Sequence, residues 1–179
     1  MNELKIYSVS DAYIEYLRKS EYHVYSNKID ERTHTRKYVG VVIKISDHNY
    51  YVPLSSPKDS DYKVVNGIKT IRKSIVPIYR IIVKNSKGIE ELKGTLRISH
   101  MIPVPDSELE LYDYNNESDQ KYKDLVHNEM IVIRKNQDKI ISNAKLLYKQ
   151  KLSKDETAGY VEAALDYSKL ESLCDKYNK

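Results

Sequence analysis

Two hydrophobic periods divide this sequence, and the switch between them limits the possible folds more than composition does. As far as Leu111 the apolar side chains alternate with polar ones or form short β-branched runs; from Ser118 onward they recur every three or four residues. A period of two puts successive side chains on opposite faces of a sheet, whereas the longer period draws one apolar stripe along a helix. YVGVVIKI (residues 38–45), the polar SDHN and YYVPLS (residues 50–55) read as a hairpin. IYRIIVK (78–84) and LKGTLRI (92–98) predict a second one, with the Asn and Gly of NSKG (85–88) supplying the positive φ angles of a tight turn. Leu4, Ile6 and Val9 mark an opening strand, after which Ser10 is placed to cap a short helix bearing Tyr13, Tyr16 and Leu17. Ile102, Val104 and the stretch 109–111 suggest further short strands. Residues 20–36 are expected to be a long exposed loop, and 57–74, with Pro57, Gly67 and many charges, a loop or an interrupted short helix.

Beyond Ser118, Tyr122, Leu125, Val126, Met130 and Ile133 share one helical face, and Asn136 is placed to cap a helix striped by Ile140, Ile141, Ala144, Leu147 and Tyr148. Ser168 to Glu171 has the form of a capping box for a last helix that buries Leu170, Leu173, Cys174 and Tyr177. Without a repeat or a linker, the expectation is one α+β domain over residues 1–179, an antiparallel sheet with segregated helices and a mostly helical C-terminal half.

A chain of 179 residues buries a core without staples, and its single cysteine, Cys174, rules out an intrachain disulfide or a Cys-rich zinc site. The most apolar stretch, 75–83, is interrupted by Pro77 and Arg80, well short of the roughly 20 residues that span a bilayer. The N-terminal residues show no secretion-like apolar run, so a cytoplasmic protein without a membrane partner is expected. The net charge of +4 identifies no partner, but its distribution is uneven: residues 1–100 carry 18 basic and 11 acidic side chains, residues 101–179 carry 12 and 15. Such a division suits a phosphate-binding face and also an ordinary lysine-rich surface. Seventeen tyrosines without Phe or Trp can stack on unpaired bases among lysines, or serve as core rings whose hydroxyls need partners.

The five histidines are scattered, Asp59 and Asp61 form only a weak pair, and the glycines make no phosphate loop. No metal and no cofactor is therefore expected. What remains is Ser55-Ser56-Pro57-Lys58 at the end of one hairpin strand, beside Arg36 and Lys37 at the start of the other. RNA cleaves itself through its own 2′-hydroxyl, so hydroxyls and cations suffice for a metal-free ribonuclease. The same segment also fits a turn in which serine bonds to backbone and proline ends the ladder.

Pro53-Leu54-Ser55-Ser56-Pro57-Lys58 resembles the signature of the ToxN/AbiQ family, toxins of type III toxin-antitoxin systems, in which a strand ends in PL-[ST]-S-P-K. The resemblance extends in order to YIEYL (13–17), YVGVVIKI, MIPV (101–104), YKDL (122–125), IRKNQDKI (133–140) and YSKLESLCDKY (167–177). It implies a metal-independent, sequence-specific endoribonuclease that leaves 2′,3′-cyclic phosphate and 5′-hydroxyl ends and acts on cellular or phage RNA in abortive infection. It further implies a repeat-derived pseudoknot RNA antitoxin, bound in closed protein–RNA assemblies, and a compact, highly twisted sheet of the Kid/MazF kind with added helices. Residue by residue it assigns Ser56 and Lys58 to the reactive centre and matches Tyr13 to the tyrosine of the first helix. A basic residue four positions before the strand glycine falls at Arg36, counted from Gly40, with Lys37 adjacent. Ser55, Lys37 and His34 are grouped with them as RNA-contacting residues, His34 by proximity alone. A non-catalytic module for structured RNA is the competing expectation.

Overall fold

The hairpin read from YVGVVIKI and YYVPLS forms the middle of the sheet. The computed structural model describes residues 3–28 and 34–177. Its strands are β1 (Lys5–Val9), β2 (Lys37–Ile45), β3 (His48–Ser55), β4 (Tyr62–Val65), β5 (Ile68–Ile71), β6 (Ile78–Lys84), β7 (Glu90–Arg97), β8 (Ile102–Pro103) and β9 (Leu109–Leu111). The helices are α1 (Asp11–Ser20), α2 (Gln120–Lys135), α3 (Gln137–Leu152) and α4 (Tyr167–Tyr177). The main sheet runs β6-β7-β3-β2-β1-β9, with β8 also on β3, and its pairings are antiparallel. This is the expected α+β class, with three of the four helices in the C-terminal part.

β3 pairs with β8 through Tyr50 and Tyr51 and with β7 through Leu54 and Ser55, so its two ends enter different parts of a bent sheet. α2 packs on β6 and β7, α3 on β2, and α4 on β8 and α3. Between these layers lie Leu4, Ile14, Leu17, Val39, Val52, Ile81, Leu96, Ile98 and Met101, all fully buried. The tyrosines substitute for phenylalanine by finding partners for their hydroxyls. Tyr50 and Tyr148 both donate to Glu171, at 2.7 and 2.8 Å, and Tyr16 donates to the Leu173 carbonyl at 2.9 Å.

Several expectations change in detail. Residues 57–74 contain the β4–β5 hairpin, whose turn residues Asn66 and Gly67 have φ of 50° and 76°. Asn-Gly suits that turn because both central positions need positive φ. In the NSKG turn only Gly88 has positive φ, 75°; Asn85 contributes its side chain, which accepts from the amides of Lys87 and Ile89 at 2.9 and 3.0 Å. The loop of 20–36 is not simply exposed: Val24 and Asn27 are buried, and the Asn27 amide donates to the Val9 carbonyl at 2.8 Å. Residues 29–33 of that loop lie outside the described residues. Helix α4 begins one residue before Ser168, and Asp166, not Ser168, accepts from the Lys169 amide. Glu171 is thereby available to the two tyrosines. Ser10 does cap α1, accepting from the Tyr13 amide at 3.1 Å.

Gly40 is where β2 meets the Tyr51 ring most closely. A Cβ there would lie 2.2 Å from the ring carbon Cδ1, and both strands are buried around it. Gly40→Ala is expected to destabilise the fold by about 1–3 kcal/mol through overpacking. A urea midpoint equal to that of the parent would contradict this reading.

Candidate active site

Antiparallel pairing dictates which chain ends meet. Tyr38 pairs with Pro53 across the β2–β3 hairpin, so residues entering β2 lie beside residues leaving β3. Arg36 uses that proximity: its Nη1 donates to the Ser55 hydroxyl at 2.9 Å and to the Leu54 carbonyl at 3.3 Å, while Nε donates to the Ser26 carbonyl at 3.2 Å. Among the described residues, three acceptors thus hold one guanidinium at the strand end. Ser55 is buried under it, whereas Ser56 is exposed and opens onto a pocket of about 280 Å³. His34, Arg36 and Lys37 form one wall, and Lys93 of β7 with Tyr122, Leu125 and Glu129 of α2 form the other.

Lys58 does not itself line this pocket but shares Tyr25 with Arg36. Its Nζ lies 5.7 Å from the centre of the Tyr25 ring, over which the Arg36 guanidinium sits at 4.7 Å. His100 stacks on the same tyrosine at 4.3 Å. Burial first, then the charges of Arg97, His23, Lys58 and Arg36, hold the His100 imidazole down to about 4, so it is neutral near pH 7.

The backbone that presents Lys58 is anchored in the interior. Its N–H donates to Asp61 Oδ2 at 3.0 Å, and its carbonyl accepts from the Asp61 amide at 2.9 Å. Asp61 is fully buried and also binds Arg80, through Nε at 3.1 Å and Nη2 at 3.0 Å, and Arg97, through Nη2 at 3.0 Å. Asp59, by contrast, projects into solvent and pairs with Lys69 at 3.6 Å. The Asp59–Asp61 pair noted in the sequence therefore diverges. Among the described residues no three His, Cys, Asp or Glu side chains converge as a metal-ligand group.

Of the residues singled out from sequence, Ser55, Ser56, Arg36, Lys37 and His34 share the pocket, with Lys58 beside it. Arg36 rather than Lys37 reaches Ser55. The Lys37 ammonium bonds Thr35 Oγ1 at 3.2 Å and lies 5.7 Å from the Tyr112 ring centre, and burial lowers its pKa despite Glu117 and Glu110. His34 stacks on Tyr122 at 3.7 Å and places Nε2 3.3 Å from Asp119, which fastens it to the start of α2.

Tyr13 is not brought to the site. Its ring is fully buried against Tyr177, with centroids 4.9 Å apart, and its hydroxyl donates to the Pro103 carbonyl at 2.7 Å. Packing is the role this geometry supports: the tyrosine that the resemblance matches in the first helix has no surface from which to reach RNA.

Sequence reasoning passed over Tyr25, His100, Lys93 and Glu129. His100 immediately precedes MIPV, but nothing local marks Tyr25 or Lys93. Glu129 did leave a signal: it falls three residues after Val126, inside the buried stripe of α2, where a carboxyl is out of place unless it has a task.

Known proteins give this geometry a context. Over 98% of its length the chain is 29% identical to the protein named Endoribonuclease ToxN of Bacillus thuringiensis subsp. kurstaki, covering 84% of that protein. It is 30% identical to Endoribonuclease AbiQ of Lactococcus lactis subsp. lactis, covering 98% of this chain and 90% of that one. Among solved structures, AbiQ, described as a lactococcal anti-phage endoribonuclease belonging to the type-III toxin-antitoxin system, superposes with a TM-score of 0.78 at 27% identity, covering 99% of both chains. Another, described under the statement that a processed non-coding RNA regulates a bacterial antiviral system, gives 0.81 at 26% identity, covering 98% of this chain and 99% of the other. The family model for toxin ToxN of the type III toxin-antitoxin system matches residues 5–175, which takes in the whole sheet, the pocket, α1 to α3 and most of α4, and the chain belongs to that family.

Proposed function

We propose that this chain, acting as one domain in the cytoplasm, is a sequence-specific endoribonuclease toxin that needs no metal ion and leaves 2′,3′-cyclic phosphate and 5′-hydroxyl ends. Its substrates are cellular or phage RNAs, its inhibitor is a repeat-derived pseudoknot RNA held in a closed protein–RNA assembly, and its setting is abortive infection by phage. The observation that carries the catalytic reading is the Arg36 clamp: a guanidinium fixed on Ser55 beside an exposed Ser56 hydroxyl, at the mouth of a pocket open to a polymer. Relatives matching the chain almost end to end bear the name endoribonuclease, and a neighbouring structure is described as toxin inhibition by a non-coding RNA pseudoknot.

Cleavage of this kind makes three demands: the 2′-oxygen aligned with phosphorus, charge on the phosphorane neutralised, and the 5′-oxygen protonated as it leaves. Arg36 offers a guanidinium charge fixed in place by its Nε and Nη1 bonds to the protein, and Lys58 a second cation near the same Tyr25 ring. Ser56 hydrogen-bonds the phosphate or the 2′-hydroxyl, and Ser55, already engaged, keeps Arg36 in place. Lys37 and His34 flank the path of the strand.

The test is cleavage of cellular RNA in excess EDTA. The expected product carries cyclic phosphate ends, and Ser56→Ala is expected to slow its formation by roughly 10²-fold, in the range seen on losing one transition-state hydrogen bond. An alanine variant as fast as the parent removes Ser56 from the chemistry. RNA that is bound but stays intact under all conditions identifies a binding module instead.

A further inference from the structure

Cleavage of this kind needs a donor for the last proton, and the pocket contains a side chain fitted to that task. Glu129 projects from the buried face of α2 and is only 4% exposed, yet its carboxyl lines the same pocket as Ser55, Ser56 and Arg36. It makes no hydrogen bond or ion pair with any described residue. Space for it comes from β7: a Cβ on Gly94 would lie 2.3 Å from Glu129 Oε1 and 3.2 Å from the Ser55 carbonyl oxygen. A residue without a side chain at 94 therefore lets this carboxyl rest against the strand end that carries the candidate serines.

The surroundings decide its protonation. Lining the pocket with it are Lys93 of β7 and His34, Arg36 and Lys37 of the segment entering β2. Tyr122 of its own helix also lines the pocket, and Tyr114 feels its charge. No cation among the described residues comes within ion-pair distance, so desolvation prevails and pushes the carboxyl up to about 8. At neutral pH the group carries its proton. A pocket-facing carboxylic acid that gives its proton to no described residue is suited to donate to a ligand.

Resting on the ribonuclease reading, we propose that Glu129 is the general acid of the cleavage, delivering a proton to the departing 5′-oxygen. The 2′-oxygen bonds to phosphorus with the electron pair freed when its proton passes to solvent water. The P–O5′ bond breaks with its pair remaining on O5′, which takes the Glu129 proton. The carboxylate left behind recovers a proton from water.

The decisive experiment compares two forms of a short RNA that the parent protein cleaves, one natural and one with sulfur in place of the bridging 5′-oxygen. Thiolate departs without protonation, so only the natural form needs a general acid. With the parent, the rate on natural RNA is expected to fall as pH rises through about 8, and the fall is expected to be absent with the sulfur form. Glu129→Gln is expected to slow cleavage of natural RNA by about 10²–10⁴-fold, the usual contribution of a general acid, and to restore near-parent rates on the sulfur form. Affinity for the same RNA with a 2′-deoxy residue at the cleavage site should be unchanged. A Gln variant equally slow on both forms overturns the proposal, because Glu129 is then structural, as does one within threefold of the parent on natural RNA (a factor of three being about 0.65 kcal/mol). The parent profiles need no variant, so they decide the matter even if the substitution impairs folding: identical pH profiles on the two forms overturn the proposal. A parent that cleaves no RNA at all overturns the ribonuclease reading itself, a failure distinct from these.

Discussion

Lys58→Ala is expected to slow RNA cleavage by about 10²–10³-fold, a loss of roughly 3–4 kcal/mol of transition-state stabilisation by analogy with removal of an oxyanion donor, with the fold intact. The large effect follows from what the cation does. Negative charge grows on the phosphorane oxygens as the 2′-oxygen attacks, and a lysine ammonium beside the Arg36 guanidinium stabilises that state more than the ground state. The small structural effect follows from exposure: the side chain lies on the surface, while Asp61 grips only the Lys58 backbone. Single-turnover cleavage and thermal melting measured on the same preparation separate the two. A variant within a few-fold of parent activity would exclude Lys58 from the reaction.

Asp61→Ala is expected to be the most damaging single change to the fold, at about 3–5 kcal/mol, because it leaves a buried ion cluster without its anion. Arg80 and Arg97 are 5% and 7% exposed, and both direct their guanidinium groups at the one carboxylate. Removing it strands two interior cations that then repel each other. For a chain of this size that corresponds to a melting temperature lower by roughly 6–20 °C. Activity should fall as well, since the Lys58 amide loses its acceptor and the SSPK segment its anchor. Asp59→Ala is the internal control: that carboxylate is fully exposed, and surface changes of this type stay within about 0.5 kcal/mol. Two variants that melt together would contradict the picture.

The contrast between these neighbouring aspartates also marks the limit of reading the chain as a string. Both sit in the same basic stretch, and by spacing alone they looked like a weak pair. Burial separates them, and burial comes from β6 and β7, which supply Arg80 and Arg97 from 19 and 36 residues away. The Asn66–Gly67 hairpin was missed for a different reason. Its dipeptide is a strong turn signal, but the flanking strands are exposed and lack the apolar alternation that identifies a half-buried strand. Arg36 and Ser55 were legible because they belong to one hairpin, where register follows from the turn. Tyr13 shares a helical stripe with Tyr16 and Leu17, and the stripe could not say that the Pro103 carbonyl would take its hydroxyl.

Local periodicity therefore carried the strands, most of the helices and the meeting of Arg36 with the SSPK segment, because backbone geometry obliges side chains two or about 3.6 residues apart to share a face. The resemblance carried by PLSSPK and the motifs in order after it carried the family. Packing alone settled the rest: that Tyr13 is core, that Asp61 holds the Lys58 backbone, and that Glu129 faces the serines across a gap left by Gly94. Each depends on which element covers which, and desolvation, the force that makes a buried carboxyl an acid and a buried ion pair indispensable, exists only once the layers have closed.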